Sequence, residues 1–327
     1  MALGLMLLIL GGLMNGSFAT PMKRMRGWQW EHSWFIWSVS GLILVPLIAM
    51  LATVAHPWEV YSGAPLGPAL LVVLFGLLWG VSSVLFGLGV SRVGLAIGFG
   101  IIIGISASLG ALIPLVFLHP ESLFRRAGLL TMSGVVLLVS GVICCAIAGR
   151  MREASQPMTR AGLLICILSG LGAPMVNFGL AFGSAIVARA EQTGTSPENA
   201  LIAIWPLLLA GGFVVNAGYC VYLMRRKSGF APLWRTHALA NLGRGALMGL
   251  LWMGSNLAYG YGTHRLGPLG LAIGWPIMMG CIVLTANGWG VATGEWRGAS
   301  ARAKAWMTAG VLVLIAGVVV ASSAGNA

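Results

Sequence analysis

Charge is what this sequence has least of. Aspartate is absent, all seven acidic residues are glutamates, and charged side chains make up 8% of the 327 residues. A soluble domain carries about 25% charged residues. A chain that is 58% hydrophobic with so few ionisable groups cannot clothe its core for water, so lipid must meet most of its surface. That excludes a soluble enzyme, a secreted disulfide scaffold and a nucleic-acid-binding domain. Cys144, Cys145, Cys166, Cys220 and Cys281 all fall inside apolar runs without a C-x-x-C pair, and read as small buried hydrophobes. There is no G-x-x-x-x-G-K-[ST] loop, which leaves ATP-driven transport by this chain unsupported. There is no metal-ligand spacing either, so no metal or cofactor is expected. The five histidines (His32, His56, His119, His237, His264) lie at the ends of apolar runs or between them, without a serine–histidine–acid arrangement.

What is present is a series of long apolar runs. About 20 apolar residues span a bilayer as a helix, and ten such runs are read: roughly 2–20, 34–54, 69–90, 94–118, 128–148, 161–187, 200–224, 239–262, 268–292 and 305–324. A transmembrane barrel would show short alternating segments instead. Ser17-Phe18-Ala19 resembles a signal-peptide cleavage site, but no basic residue precedes the apolar run, so the first run is kept as a helix. The 48 glycines suit close helix packing, as in Gly76-x-x-x-Gly80 and Gly270-x-x-x-Gly274. The net charge of +12 has a topological reading. Loops after odd-numbered spans hold fourteen Lys and Arg, those after even-numbered spans four. Basic loops stay in the cytoplasm, so both termini are expected on the outer face.

Spans 3 and 8 repeat each other. Leu74, Gly76, Leu77, Leu78, Trp79, Ser82, Gly87, Gly89, Arg92 and Gly94 recur 173 positions later as Leu247, Gly249, Leu250, Leu251, Trp252, Ser255, Gly260, Gly262, Arg265 and Gly267. Gly94-Leu-Ala-Ile-Gly98 recurs as Gly270-Leu-Ala-Ile-Gly274, and Ile9, Leu10, Gly12 and Leu13 match Ile167, Leu168, Gly170 and Leu171 more weakly. The chain is therefore expected to be an all-α integral membrane protein of two five-helix repeats, residues 1–155 and 156–327. Span n lies over span n+5. Five is odd, so the halves enter the membrane in opposite senses, an inverted-topology 5+5 repeat of the kind found in secondary transporters, with a site near the midplane.

No glutamate lies at the centre of a span. Glu31, where span 2 begins, and Glu295, where span 9 ends, are the proton-coupling candidates, with an interfacial cap or a loop ion pair as the alternative reading for each. Inside spans the polar residues are uncharged. Trp79 and Trp252 stand at equivalent mid-span positions, each three residues before a serine, hence on one helical face with it. An indole plate beside hydroxyls and amides suits the C–H face and the hydroxyls of a polyol. Trp79, Ser82, Ser83, Asn177, Asn216, Trp252, Ser255, Asn256 and Tyr259 are accordingly the substrate-binding candidates. The competing reading is core packing for the tryptophans and helix-to-helix glue for the amides and hydroxyls, worth about 0.6 kcal/mol each. Pro174, Pro206 and Pro276 can bend their spans, and Pro174 is read either as part of a flexible cavity wall or as a static kink.

Four segments resemble the L-rhamnose/proton symporter family of the drug/metabolite transporter superfamily. They are Pro21-x-Lys23-x-x-x-x-Trp28-x-Trp30-Glu31, then Trp79-Gly80 with Gly87-Leu88 and Gly94, then Gly211-Gly212-x-Val-Val-Asn216-x-Gly218-Tyr219-Cys220, then Glu295-Trp296. The resemblance implies ten helices in two inverted halves, import of a sugar by proton symport, a bacterial inner-membrane location, and no cofactor beyond the proton gradient. The implied partners are sugar, proton and bilayer, and not nucleic acid. Ser83 and Leu85 stand where the family carries asparagines, and the segment Leu266–Gly274 is more apolar than the family's. Those departures point to the alternative, an exporter or carrier of a less polar metabolite.

Overall fold

A computed structural model describes residues 2–93, 95–152, 159–235 and 237–326. Gly94 and the expected boundary between residues 155 and 156 lie outside the described residues. These residues form helices and connecting turns, with no strand among them. The first apolar run is α1 (Ala2–Ser17). Span 2 is composite: α2 (Trp30–Ser38) passes through a π-helical segment, Val39–Leu44, into α3 (Val45–Thr53). A short α4 (Pro57–Gly63) precedes α5 (Leu66–Val93), α6 (Leu95–Leu118) and α7 (Arg126–Arg152), which are spans 3 to 5. Span 6 is broken into α8 (Arg160–Gly172), α9 (Met175–Phe182) and α10 (Ser184–Gln192). After the one-turn α11 (Pro197–Ala200) come α12 (Trp205–Leu223), α13 (Ala238–His264), α14 (Gly270–Ala292) and α15 (Ala301–Ser323).

Nine of the described helical stretches are long and apolar enough to cross a membrane. The run expected at 239–262 is not among them, although it forms α13, a helix of 27 residues and roughly 40 Å at 1.5 Å per residue. Its mean hydropathy is lowered by Asn241, Ser255, Asn256, Tyr259 and Thr263, every one of them buried, while Leu247 and Leu250 point outward. Elsewhere the outward face is apolar, as Ile48, Leu51, Val136 and Val214 illustrate. A bilayer is the solvent that such a surface matches.

Small residues set the helix contacts. A Cβ on Gly76 would collide with the Leu208 carbonyl of α12, and one on Gly80 would come within 3.0 Å of the Gly212 Cα. Gly41 lies as close to the Gly249 Cα, and Gly270 leaves no room before the Thr263 carbonyl. Gly76, Gly80 and Gly270 therefore serve close backbone approach, while Gly274 makes room for a side chain, since a Cβ there would come within 2.7 Å of Thr263 Cγ2. In the resulting packing α5 lies against α8 and α12, α13 against α1 and the α2–α3 unit, and α6 against α7, α8 and α14; α14 meets α1 and α15, and α7 pairs along its length with α15.

Two irregularities have local causes. Pro174 caps α9, and having no N–H it cannot continue the helix from α8. The π segment contains Ser40-Gly41, and the Ser40 hydroxyl donates to the Ile36 carbonyl at 2.9 Å and lies 3.2 Å from the Gly245 carbonyl of α13. A Ser-Gly pair with a side chain inserted into the ladder is a recognised origin of such a distortion.

The loops sort into two sets. Lys23 pairs with Glu295 at 3.0 Å, Arg152 with Glu295 at 3.2 Å, and Trp28 donates to the Pro232 carbonyl at 2.8 Å. These contacts join the loops after spans 1, 7 and 9 to the end of span 5. At the other end, the Ala55 amide donates to Thr195 at 2.9 Å and Arg265 pairs with Glu198 at 3.3 Å, joining the loops after spans 2, 6 and 8.

Candidate functional site

Trp79 of α5 and Trp252 of α13 stack on each other, ring centroids 5.2 Å apart and planes 28° from parallel. Trp252 is buried and Trp79 half-buried. Neither points away from the protein. Trp37 meets Trp252 edge-on at 5.5 Å, Trp34 lies 4.3 Å from Trp37, and Trp30 stacks on Trp34 at 5.1 Å. Trp30, Trp34 and Trp37 recur at helical spacing on one face of α2, which carries the aromatic series from the basic end of the bundle to its middle. Sequence reasoning missed Trp34 and Trp37; their i, i+4, i+7 spacing was the available signal.

Asn216, fully buried on α12, is the polar centre of this cluster. Its Oδ1 accepts from Trp34 Nε1 at 2.9 Å and from the Ser83 hydroxyl at 3.0 Å, and its Nδ2 donates to the Gly212 carbonyl at 2.9 Å. One carbonyl oxygen thus ties α2, α5 and α12 together. Asn256 stands one turn beyond Trp252 and donates to the Trp252 carbonyl at 2.7 Å, while its Oδ1 accepts no hydrogen bond from the described residues.

The other candidates form separate contacts. The Ser82 hydroxyl donates to the Ser169 carbonyl at 2.7 Å, and that of Ser169 returns the bond to Ser82 at 3.0 Å, joining α5 to α8. Ser255 accepts from Asn15 Nδ2 at 3.0 Å, joining α13 to α1. Asn177, in the first turn after the Pro174 break, accepts from the Tyr259 hydroxyl and donates to the Gly110 carbonyl at 2.9 Å. The Tyr259 ring meets Trp275 edge-on at 5.7 Å. Of the nine substrate candidates, Trp79, Ser83, Asn216, Trp252 and Asn256 surround the aromatic stack. Ser82 and Ser255 hold helix seams, and Asn177 with Tyr259 forms a second buried polar pair.

The two glutamates differ sharply. Lys23 hydrogen-bonds Glu295, and with Arg152 close by its carboxyl is held below the usual range, although partial burial opposes this. Glu31 is buried in the first turn of α2, where the helix N-terminus favours an anion, and it makes no hydrogen bond or ion pair among the described residues. Beside it, the buried His32 is fixed by the Gln29 amide at 3.1 Å and the Gly229 carbonyl at 2.8 Å. Cys145, Cys166, Cys220 and Cys281 are buried free thiols and Cys144 is partly so. No cluster of three metal-ligating side chains occurs among the described residues.

The segments that suggested a family meet in space. Lys23 reaches Glu295, Trp30 meets Tyr219 edge-on at 6.4 Å, and Gly212 packs on the Trp79 ring. Residues 1–325 match the family described as L-rhamnose-proton symport protein (RhaT). The chain belongs to that family. Over 321 residues it is 26% identical to an L-rhamnose-proton symporter of Citrobacter koseri, covering 94% of this chain and 93% of the relative. The symporters of Shigella boydii serotype 18 and Escherichia coli SMS-3-5 are each 25% identical with the same coverage. The family is one of multi-pass membrane symporters rather than enzymes, as the four segments had implied.

Proposed function

We propose that this chain imports L-rhamnose or a closely related sugar by proton symport across the bacterial inner membrane, and that its sugar site is built around the Trp79–Trp252 stack. The observation that carries this reading is the stack itself: two indoles from repeat-equivalent helices, with the Asn216–Ser83 pair and the free Asn256 carbonyl beside them. An indole face takes the C–H side of a pyranose, and amides and hydroxyls take its hydroxyls. At 5.2 Å the rings leave no space for a sugar between them. The sugar therefore rests beside the pair or parts it.

The inverted repeat gives the motion. Its support is that the most extensive helix contacts recur under exchange of span n for n+5: 3 with 6 answers 8 with 1, 3 with 7 answers 8 with 2, 4 with 6 answers 9 with 1, and 4 with 5 answers 9 with 10. Spans 5 and 10, 4 and 9, and 2 and 7 pair with their own counterparts. Counting α13 as span 8, which brings the spans to ten, keeps this correspondence intact. Two such halves exchange an outward-open for an inward-open state by rocking about the shared site. The basic loops on one face support a cytoplasmic assignment for it, with both termini opposite.

Glu31 is the better proton carrier. The Glu295 carboxyl is held low by Lys23, whereas Glu31 is buried and makes no ion pair among the described residues, one helical turn from Trp34, which donates to Asn216. Uptake of radiolabelled L-rhamnose into proteoliposomes tests both parts. Saturable uptake that rises with an inward proton gradient is expected, and Glu31→Gln should lose the gradient dependence while retaining exchange of sugar. Absence of saturable flux sinks the substrate assignment, and unchanged pH dependence in the variant removes Glu31. A less polar cargo is favoured only by Ser83 and Leu85 standing where the family carries asparagines and by the apolar segment Leu266–Gly274.

A further inference from the structure

At the basic end of the bundle a cavity of about 410 Å³ opens between the loop after α1 and the start of α13. Lys23, Arg24, Arg26, His237 and Arg244 line it. Lys23 is engaged by Glu295 at 3.0 Å, the one carboxylate in contact with these side chains among the described residues. Arg24 and Arg26 pair with no carboxylate there, and Arg244 donates only to Asn241 Oδ1 at 3.0 Å. Asn241 in turn donates to the Arg26 carbonyl at 2.9 Å, which fixes the loop against the helix and shapes the cavity. The positive end of the 27-residue α13 opens into the same space through His237, which holds a left-handed backbone at its N-cap. Three guanidiniums, an ammonium and a helix N-terminus converge with one compensating carboxylate. Such a cavity is built for a phosphate.

Its rim is apolar. Trp234 and Leu239, on either side of His237, are 69% and 84% exposed. A binding site for a free anion has no use for an indole and a leucine exposed within three residues of its lining. A phospholipid does, since its headgroup enters the basic cavity while its acyl chain lies along the two side chains. We infer that this cavity binds the headgroup of an anionic phospholipid, phosphatidylglycerol or cardiolipin, from the leaflet on the basic side of the bilayer. The lipid would bridge the loop after α1, which leads into α2 and Glu31, to α13, which carries Trp252. It is thus placed to steady the contact between the two halves.

The test is lipid retention by the purified full-length chain in detergent, followed by native mass spectrometry with phosphatidylglycerol, phosphatidylcholine or glycerol 3-phosphate added. Phosphatidylglycerol should be retained at least fivefold over phosphatidylcholine. The double substitution Arg24→Gln with Arg26→Gln should cut that retention about tenfold, and Leu239→Ser should cut it severalfold. Equal retention of the two lipids, or unchanged retention in the arginine variant, overturns the proposal. Displacement of phosphatidylglycerol by glycerol 3-phosphate at equal concentration also overturns it, by marking a free-anion site. Should the double variant fail to fold, the native protein still decides: raising salt from 0.1 to 1 M shortens the screening length from about 10 to about 3 Å. Retention that ignores that change refutes a charge-held headgroup.

Discussion

Trp79→Ala separates a binding stack from a packing stack. Trp79 is half-buried and meets Trp252 at 5.2 Å with planes 28° apart, while Trp252 is also held edge-on by Trp37 at 5.5 Å. An aromatic pair of this kind contributes about 0.5–1.5 kcal/mol beyond the area it buries. A core tryptophan removed outright costs about 3–5 kcal/mol of stability. Since Trp79 is only half-buried, its removal should fall short of that range. If the Trp79 indole holds sugar, losing about 1.4 kcal/mol of binding weakens apparent affinity about tenfold. Concentration-dependent L-rhamnose uptake by proteoliposomes and thermal unfolding of the same preparation measure the two effects side by side. The expected result is an affinity loss near tenfold with a small change in unfolding temperature, partly restored in Trp79→Phe. Wild-type transport, or loss of folded protein with no separable transport defect, would refute the assignment. Adding Trp252→Ala completes a cycle, and a coupling near 1 kcal/mol between the two positions is the expected energetic signature.

Asn216→Leu leaves Trp34 Nε1 and the Ser83 hydroxyl without their acceptor; each orphaned buried donor costs about 1–3 kcal/mol, so thermal unfolding should shift far more than in Ser83→Ala. Gly76→Ala drives a methyl into the Leu208 carbonyl, so membrane-inserted, monodisperse protein should fall steeply on size-exclusion chromatography, whereas Gly218→Ala, with open space around it, should behave as wild type. Because Glu295 has a lowered carboxyl pKa in the folded chain, the stabilisation from its bridge to Lys23 is present above the ordinary carboxylate range and lost as pH falls through the lowered value. Both partners are substantially exposed, so the effect should stay below about 1 kcal/mol. Glu295→Gln should remove that acid-side dependence from thermal unfolding and leave proton-driven uptake in place.

Much of this arrangement was legible because membrane helices are governed by two simple requirements, apolar length and small residues at contacts. The α5–α13 repeat was visible in sequence because Trp, Ser, Arg and glycines keep register, and the same register brings the two tryptophans face to face. Other features had weaker signals. Ser40-Gly41 does not announce a π segment, since its hydroxyl needs the Gly245 carbonyl of another helix beside it. Residue type did not distinguish Ser82 from Ser83. They are neighbours on α5, but about 100° of helix turn sends one hydroxyl to Ser169 of α8 and the other to Asn216 of α12. Only the positions of the surrounding helices decide which of them faces the stack.

The helix least apolar by sequence is the one nearest the chemistry, and the reason is solvent. A helix lying in lipid must be apolar on its lipid side, so its mean hydropathy reports it readily. Helix α13 is enclosed over most of its length by α1, the α2–α3 unit and α14, and only positions such as Leu247 and Leu250 remain exposed. Its inward face is free to carry Asn241, Ser255, Asn256 and Tyr259, each placed against a protein partner. Its counterpart α5 carries Ser83 and Phe86 where α13 has Asn256 and Tyr259, and it qualifies as an apolar span. On the proposed reading of two inverted repeats, the polar load is concentrated on one of them. A symmetric scaffold would support a rocking motion between equivalent states, and an asymmetric set of amides would give a sugar, which has no such symmetry, one orientation in which to bind. Exchanging Asn256 for Ser and Ser83 for Asn together tests this directly. The helix contacts would persist and the protein should fold, but the amide would now project from α5, and sugar selectivity should change more than stability. Unaltered selectivity in that double exchange would show that the amide's position does not orient the ligand.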